Sequence, residues 1–296
     1  MTLPNFVIAG ATRSGTTSLY YYLKQHPEIR FPDLKEPRYF SSINLKLPQA
    51  GPGDNTVDEK LITNISDYTR LYADIKGYKR IGDASSEYLY HYEETADEIH
   101  KVLNDIPVLI ILRNPIERAY SAYNNLVRDG RECETFEKGL ELEDFRIKNN
   151  WDMMWAYKSV GMYYKQVEKY MKVFSRVHVI IFEEFVKNAD YHLGSVYDFL
   201  GISKDVNVDT GVSYSHSGTP KNKFIGWVTS RNNQYIYPLR KAVMKSLPRS
   251  LLEKFAEKMY SKSQIKPETR EYLRSYYQQD IKRLEDLLSK DLSHWQ

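Results

Sequence analysis

The stretch from Asn5 to Pro27, NFVIAGATRSGTTSLYYYLKQHP, limits the possible folds more than any other part of the chain. Phe6-Val7-Ile8-Ala9 is a short apolar run that reads as a buried strand. The loop Gly10-Ala11-Thr12-Arg13-Ser14-Gly15 follows, then a helical run carrying Leu19, Tyr20 and Leu23. A strand, a glycine loop and a helix in this order hold phosphate-like anions, because loop N–H groups converge where the helix dipole is positive. The spacing is that of a Walker A loop with one break: Thr16 stands where the lysine belongs, followed by Thr17. A nucleoside triphosphatase uses that lysine on the β/γ-phosphates and a hydroxyl on magnesium. Here the nearest cation is Arg13, inside the loop.

Further along, Ile29-Arg30-Phe31 reads as a short second strand, after His26-Pro27 has ended the first helix. The Pro/Gly/Asn-rich segment from Ser41 to Asn64 reads as a long surface loop. Arg80 to Ser85 reads as a strand ending in a polar turn. The runs PVLIIL (107–112) and VHVIIF (177–182) are apolar throughout, as in buried parallel sheets. Helical patterns cover 67–73, 93–103, 115–123, 163–174 and 191–200, and a last helix begins at Pro267 with Leu273, Tyr277, Ile281, Leu284 and Leu288 on one stripe. Four apolar strands alternating with helices predict an α/β fold: a P-loop-like three-layer arrangement with a central, mainly parallel β-sheet flanked by helices. No composition break divides residues 1–296, which read as a single domain. Ligands in such sheets sit at the carboxyl ends of the strands, so the loops after residues 10, 83, 112 and 182 share one rim.

Composition narrows the class. The net charge is +3, too small to argue for nucleic acid. Cys133 is the only cysteine, which fits a reducing compartment and rules out an internal disulfide. No apolar run approaches the roughly 20 residues of a membrane helix. No leader is visible before the first strand, so the expected location is cytoplasmic. The 25 tyrosines fit an aromatic-lined acceptor site and ordinary packing equally well, as do Trp151, Met153, Met154 and Trp155.

The rim carries a second cation. The strand at 107–112 runs into Arg113, not into the aspartate that a Walker B strand offers to magnesium. Ser121 lies about two helical turns further on. Arg113 and Ser121 together suit a second phosphate, so the chain reads as binding a nucleotide with phosphates at two ends and no obligatory metal.

These motifs resemble the sulfotransferases that use 3′-phosphoadenosine 5′-phosphosulfate (PAPS). Gly10 to Leu19 resembles the family's 5′-phosphosulfate loop. Leu112-Arg113-Asn114-Pro115 through Ser121-Ala122-Tyr123 resembles its 3′-phosphate motif, in which the Arg113 and Ser121 positions bind phosphate. Lys35-Glu36-Pro37-Arg38-Tyr39-Phe40 resembles the acidic-then-aromatic segment of the heparan-sulfate N-deacetylase/sulfotransferase and 3-O-sulfotransferase branch, where the Glu36 position is the base. Phe199-Leu200-Gly201-Ile202 and the closing helix ending at Trp295 also fit. That branch carries a lysine within the segment Asp83-Ala84-Ser85-Ser86, and this chain has none there. Ser217-Gly218-Thr219-Pro220-Lys221-Asn222-Lys223 looks more like bacterial members.

The resemblance implies sulfuryl transfer from PAPS to a hydroxyl or amine, leaving 3′-phosphoadenosine 5′-phosphate (PAP). Arg13, Ser14, Gly15, Thr16, Thr17 and Ser18 would hold the phosphosulfate. Arg113 and Ser121 would anchor the 3′-phosphate, and Lys221 or Lys223 would close over it. Glu36 is the first choice of general base, His216 the second, and Asp83 a group that orients the acceptor or a catalytic side chain. The acceptor is open: a glycan, a lipid or a small metabolite. The competing reading is a P-loop kinase or a nucleotide-binding protein without transferase activity, and it lacks both the lysine at position 16 and a carboxylate at position 113.

Overall fold

The computed structural model describes residues 2–211, 219–220, 260–261 and 264–295. Its first strand, β1 (Phe6–Gly10), lies at the centre of a five-stranded sheet. Helix α1 (Thr16–Leu23) follows, then β2 (Ile29–Arg30) and three short helices, α2 (Tyr39–Ser42), α3 (Asn55–Asp58) and α4 (Ile65–Arg70). Next come β3 (Arg80–Ala84), α5 (Tyr92–Leu103), β4 (Val108–Leu112) and α6 (Pro115–Arg128). Two short helices, α7 (Phe136–Glu141) and α8 (Glu143–Lys148), precede α9 (Tyr163–Val173). The chain continues through β5 (Val177–Ile181), α10 (Phe182–Lys187) and α11 (Ala189–Leu200). The long helix α12 (Pro267–Leu288) is the last.

The strand order is β2-β3-β1-β4-β5, and every pairing is parallel. Side chains alternate between faces, as the pleat requires. Val7, Ala9, Val108, Ile110, Leu112, Val179 and Ile181 face one core, built with α5, α6, α9 and α12. Phe6, Ile8, Leu109, Ile111 and Ile180 face the other, built with α1 and α11. Apolar residues on both faces explain why these strands read as continuous hydrophobic runs. The expected three-layer fold is therefore the one observed.

The strand order makes β1 the switch point. The chain leaves β1 for β2 and β3 on one side, then crosses to β4 and β5 on the other. Its loop is thus flanked by the turns after β3 and β4, where open α/β sheets bind ligands.

The segment from Ser41 to Asn64 is mostly exposed loop, as expected, but it is anchored at one buried point. It contains α3 and the fully buried Asp54, which accepts from Gly51 N (2.7 Å), Asp152 N (2.9 Å) and Trp155 Nε1 (3.1 Å) and pairs with Arg131. One buried carboxylate with four partners holds this segment against the body. Trp155 and Met153 are buried here, and Tyr68, Tyr72, Tyr88, Tyr157, Tyr163, Tyr170 and Tyr277 are fully buried. Core packing accounts for these aromatics. No helix among the described residues is long and apolar enough to cross a membrane.

Candidate active site

The loop after β1 has its shape because two glycines allow it. At Gly15 φ is +94°, and a Cβ there would stand 2.6 Å from Phe182 Cδ2. At Gly10 a Cβ would stand 2.5 Å from Leu89 Cβ. No side chain fits at either place. α1 then starts with no capping side chain and no acidic residue in its first turn. Its backbone ladder begins with Leu19 N donating to Gly15 O at 3.1 Å. The N–H groups of Thr16, Thr17 and Ser18 precede that bond, so they face the loop with the positive end of the helix dipole behind them.

The cations expected on two separate motifs meet here. Arg13, at φ +68°, sends Nε to Ser121 Oγ at 3.3 Å. Arg113 Nη1 donates to the Arg13 carbonyl at 3.4 Å, and its guanidinium lies 5.0 Å from the Phe182 ring centre. Burial lowers the Arg113 pKa from its ordinary value. Ser14 is fully buried beneath the loop.

The turn carrying Arg113 is fixed from several sides. Asn114 caps α6 by accepting from Ile116 N at 3.0 Å, with Pro115 in the first turn. Asn114 N donates to Glu183 Oε1 at 2.9 Å, while Trp295 Nε1 donates to Glu183 Oε2 at 3.2 Å. Tyr163 OH donates to the Arg113 carbonyl at 3.0 Å. One glutamate after β5 thereby ties Trp295, near the end of the chain, to the turn that carries Arg113.

Glu36 stands on the β3 side of the loop, in left-handed backbone at φ +58°. Lys35 Nζ reaches Oε1 at 2.7 Å and Arg38 Nη2 reaches Oε2 at 3.1 Å. Ser86 Oγ donates to Oε1 at 3.2 Å. Burial pushes the carboxyl pKa up, but the Lys35 and Arg38 charges outweigh it and hold the group at about 2. Arg38 Nε also meets Glu87 Oε2 at 3.3 Å.

Asp83 lies deeper. It is fully buried, accepting from Ser85 Oγ (2.8 Å), Tyr68 OH (2.9 Å) and Tyr88 OH (2.9 Å). Burial raises its pKa to about 6 against those hydrogen bonds. Ser85 Oγ in turn accepts from Arg38 N at 3.0 Å. Asp83 therefore reaches the Glu36 segment through Ser85 and through the Tyr68 and Tyr88 rings, which pack on Tyr39 and Phe40, and its carboxylate is buried away from the rim. His216, Lys221 and Lys223 lie outside the described residues.

The structure thus gathers Arg13, Arg113, Ser121 and Glu36 at one end of the sheet. It adds groups that the motifs did not single out: Thr12, Ser85, Ser86, Arg38, Tyr163 and Glu183. Ser85 and Ser86 were visible only as part of the segment from Asp83 to Ser86, whose departure from the family pattern is a missing lysine. Glu183 stood next to an apolar run with nothing to mark its two partners.

Residues 4–205 match the sulfotransferase family. The chain belongs to that family. A solved sulfotransferase from Alicyclobacillus acidocaldarius is 33% identical and superimposes with a TM-score of 0.80, covering 100% of this chain and 99% of the other. Carbohydrate sulfotransferase 15 of Rattus norvegicus is 24% identical over 76% of this chain and 49% of its own length. Heparan sulfate glucosamine 3-O-sulfotransferase 3B1 of Homo sapiens is 25% identical over 68% of this chain and 47% of its own. Against such curated relatives the chain spans about half their length or less. The family match covers the glycine loop, the Glu36 segment and the Arg113–Ser121 motif.

Proposed function

We propose that this protein transfers the sulfuryl group of PAPS to a hydroxyl or amine of an acceptor, with Glu36 as general base. The observation that carries the reading is the meeting of Arg13, Arg113 and Ser121 beside an uncapped helix N-terminus, with Glu36 on the neighbouring turn. Two cationic subsites on one rim suit a nucleotide with phosphate at both its 5′ and 3′ ends. The first-turn N–H groups of α1, with Arg13, hold the 5′-phosphosulfate and take up the charge that builds on the leaving phosphate. Arg113 and Ser121 hold the 3′-phosphate.

In the transfer, an acceptor oxygen or nitrogen lone pair forms the new bond to sulfur as the bond between sulfur and the 5′-phosphate oxygen breaks. Glu36 takes the acceptor's proton, and PAP leaves with the electron pair. Positioning and fixed charge carry most of such a reaction. Glu36 is a weak base while Lys35 and Arg38 hold both its oxygens, so proton transfer is expected to run late, as the acceptor's acidity rises on bonding to sulfur. The glycan-directed relatives make a carbohydrate hydroxyl the first acceptor to screen.

Calorimetric titration with PAP, with and without magnesium, tests the nucleotide half. Micromolar binding that ignores magnesium is expected. Magnesium-dependent ATP binding with none of PAP would favour a kinase instead. Glu36→Gln tests the other half: PAP affinity should hold while transfer from radiolabelled PAPS to a panel of sulfated and unsulfated oligosaccharides is lost.

A further inference from the structure

The loop that holds the donor and the carboxylate assigned as the base are joined by side chains. Thr12 Oγ1 lies 3.1 Å from Ser86 Oγ and 3.1 Å from the Ser86 carbonyl. Ser86 Oγ donates onward to Glu36 Oε1 at 3.2 Å. Ser86 is buried, so water competes poorly for either bond. It comes from the turn after β3, adjacent to β1 in the sheet, which is why one hydroxyl reaches both segments. Next to it, Ser85 holds the other end of the Glu36 segment through Arg38 N.

We infer that Ser86 is a positioning residue: it fixes the Glu36 carboxylate against the donor loop through Thr12, so that base and phosphosulfate are held in one register. The inference rests on the reading of Glu36 as base. Lys35 and Arg38 are long cations that follow the carboxylate over a range of positions. Ser86 is short and rigidly placed, so it selects one position among them. A carboxylate misplaced by even an ångström loses much of its effect on a positioned reaction.

The test uses hydrolysis of radiolabelled PAPS, with water standing for the acceptor, and PAP binding measured in parallel. Ser86→Ala is expected to lower the hydrolysis rate at saturating PAPS about tenfold, the scale of one hydrogen bond to a charged group, with PAP affinity within about twofold of wild type. Thr12→Val, which keeps shape and removes the hydroxyl, should lower the rate by a smaller factor, again with PAP affinity held. In Glu36→Asp the shorter side chain withdraws the carboxylate from Ser86, so adding Ser86→Ala should cost almost nothing more. Independent effects that multiply in the double variant would overturn the inference, as would a fall in PAP affinity matching the fall in rate. Full hydrolysis by Glu36→Gln would instead remove Glu36 as base, a different result that the single variants of Ser86 do not mimic.

Discussion

Arg13 Nε donates to Ser121 Oγ across 3.3 Å, although 108 residues separate them in the chain. The contact joins the glycine loop to the helix after β4, and it sets the spacing between the two subsites proposed for the nucleotide phosphates. Removing the hydroxyl in Ser121→Ala is expected to weaken PAP binding about tenfold, near 1.5 kcal/mol, the low end for a hydrogen bond to a charged group. Arg113→Ala removes a charge and the bond to the Arg13 carbonyl, and a loss of about 2–3 kcal/mol is expected. Calorimetry on both variants checks the order. Equal losses would mean that the guanidinium does not face the nucleotide.

Gly15 and Gly77 separate backbone strain from crowding. Both have positive φ, +94° and +80°, but only Gly15 has a neighbour that a Cβ would strike. Gly77→Ala should therefore cost only the strain of about 1 kcal/mol. Gly15→Ala adds the Phe182 clash and should cost more than twice that, with PAP binding lost. Urea unfolding and calorimetry compare the two, and similar stabilities would refute the steric argument.

Two carboxylates should give opposite pH dependences. Glu36 is held at about 2 against an ordinary 4.5 by the Lys35 and Arg38 charges, which outweigh burial. Its ion pairs stabilise the fold above about 4.5, and that contribution is lost as pH falls toward 2. Asp83 is raised from 3.8 to about 6, mainly by burial. The unfolded chain releases that proton first, so stability falls as pH rises from about 4 to about 6 and is level above. Wild type minus Glu36→Gln should then grow with pH over the lower window, and wild type minus Asp83→Asn should shrink over the upper one. Urea titrations at stepped pH read both differences, and a flat Asp83 difference would show an ordinary carboxyl.

Glu183 holds Asn114 N and Trp295 Nε1 with its two oxygens. In Glu183→Gln one of the two donors meets an amide NH₂ instead of an acceptor. A stability loss of about 1–3 kcal/mol is expected from the unsatisfied group. Because the same turn carries Arg113, PAP affinity should fall as well. Loss of stability with unchanged affinity would show that the closing residues support the fold but not the phosphate motif.

Much of this arrangement was legible in the chain. Val108 to Leu112 are buried on both faces, and such strands carry their signal in an unbroken apolar run. The shape of the loop after β1 was legible for a similar reason: glycines at positions 10 and 15 are local requirements of its backbone. The anchoring of the 41–64 loop was not legible, because it depends on Asp54 finding partners about a hundred residues away, at Asp152 and Trp155. Nothing in its composition records that.

The sequence by itself therefore determined the layered sheet and the glycine-shaped turn after β1, because these follow from periodicity and backbone sterics over short spans, while the candidate site residues were named by their resemblance to family motifs. Only the tertiary structure decided that Arg13 meets Ser121, that Ser86 stands between Thr12 and Glu36, and that Asp83 is sealed beneath Tyr68 and Tyr88. Those relations depend on strand order. With β1 between β3 and β4, three turns distant in the chain come within hydrogen-bond reach, and a local pattern carries no information about which strands become neighbours.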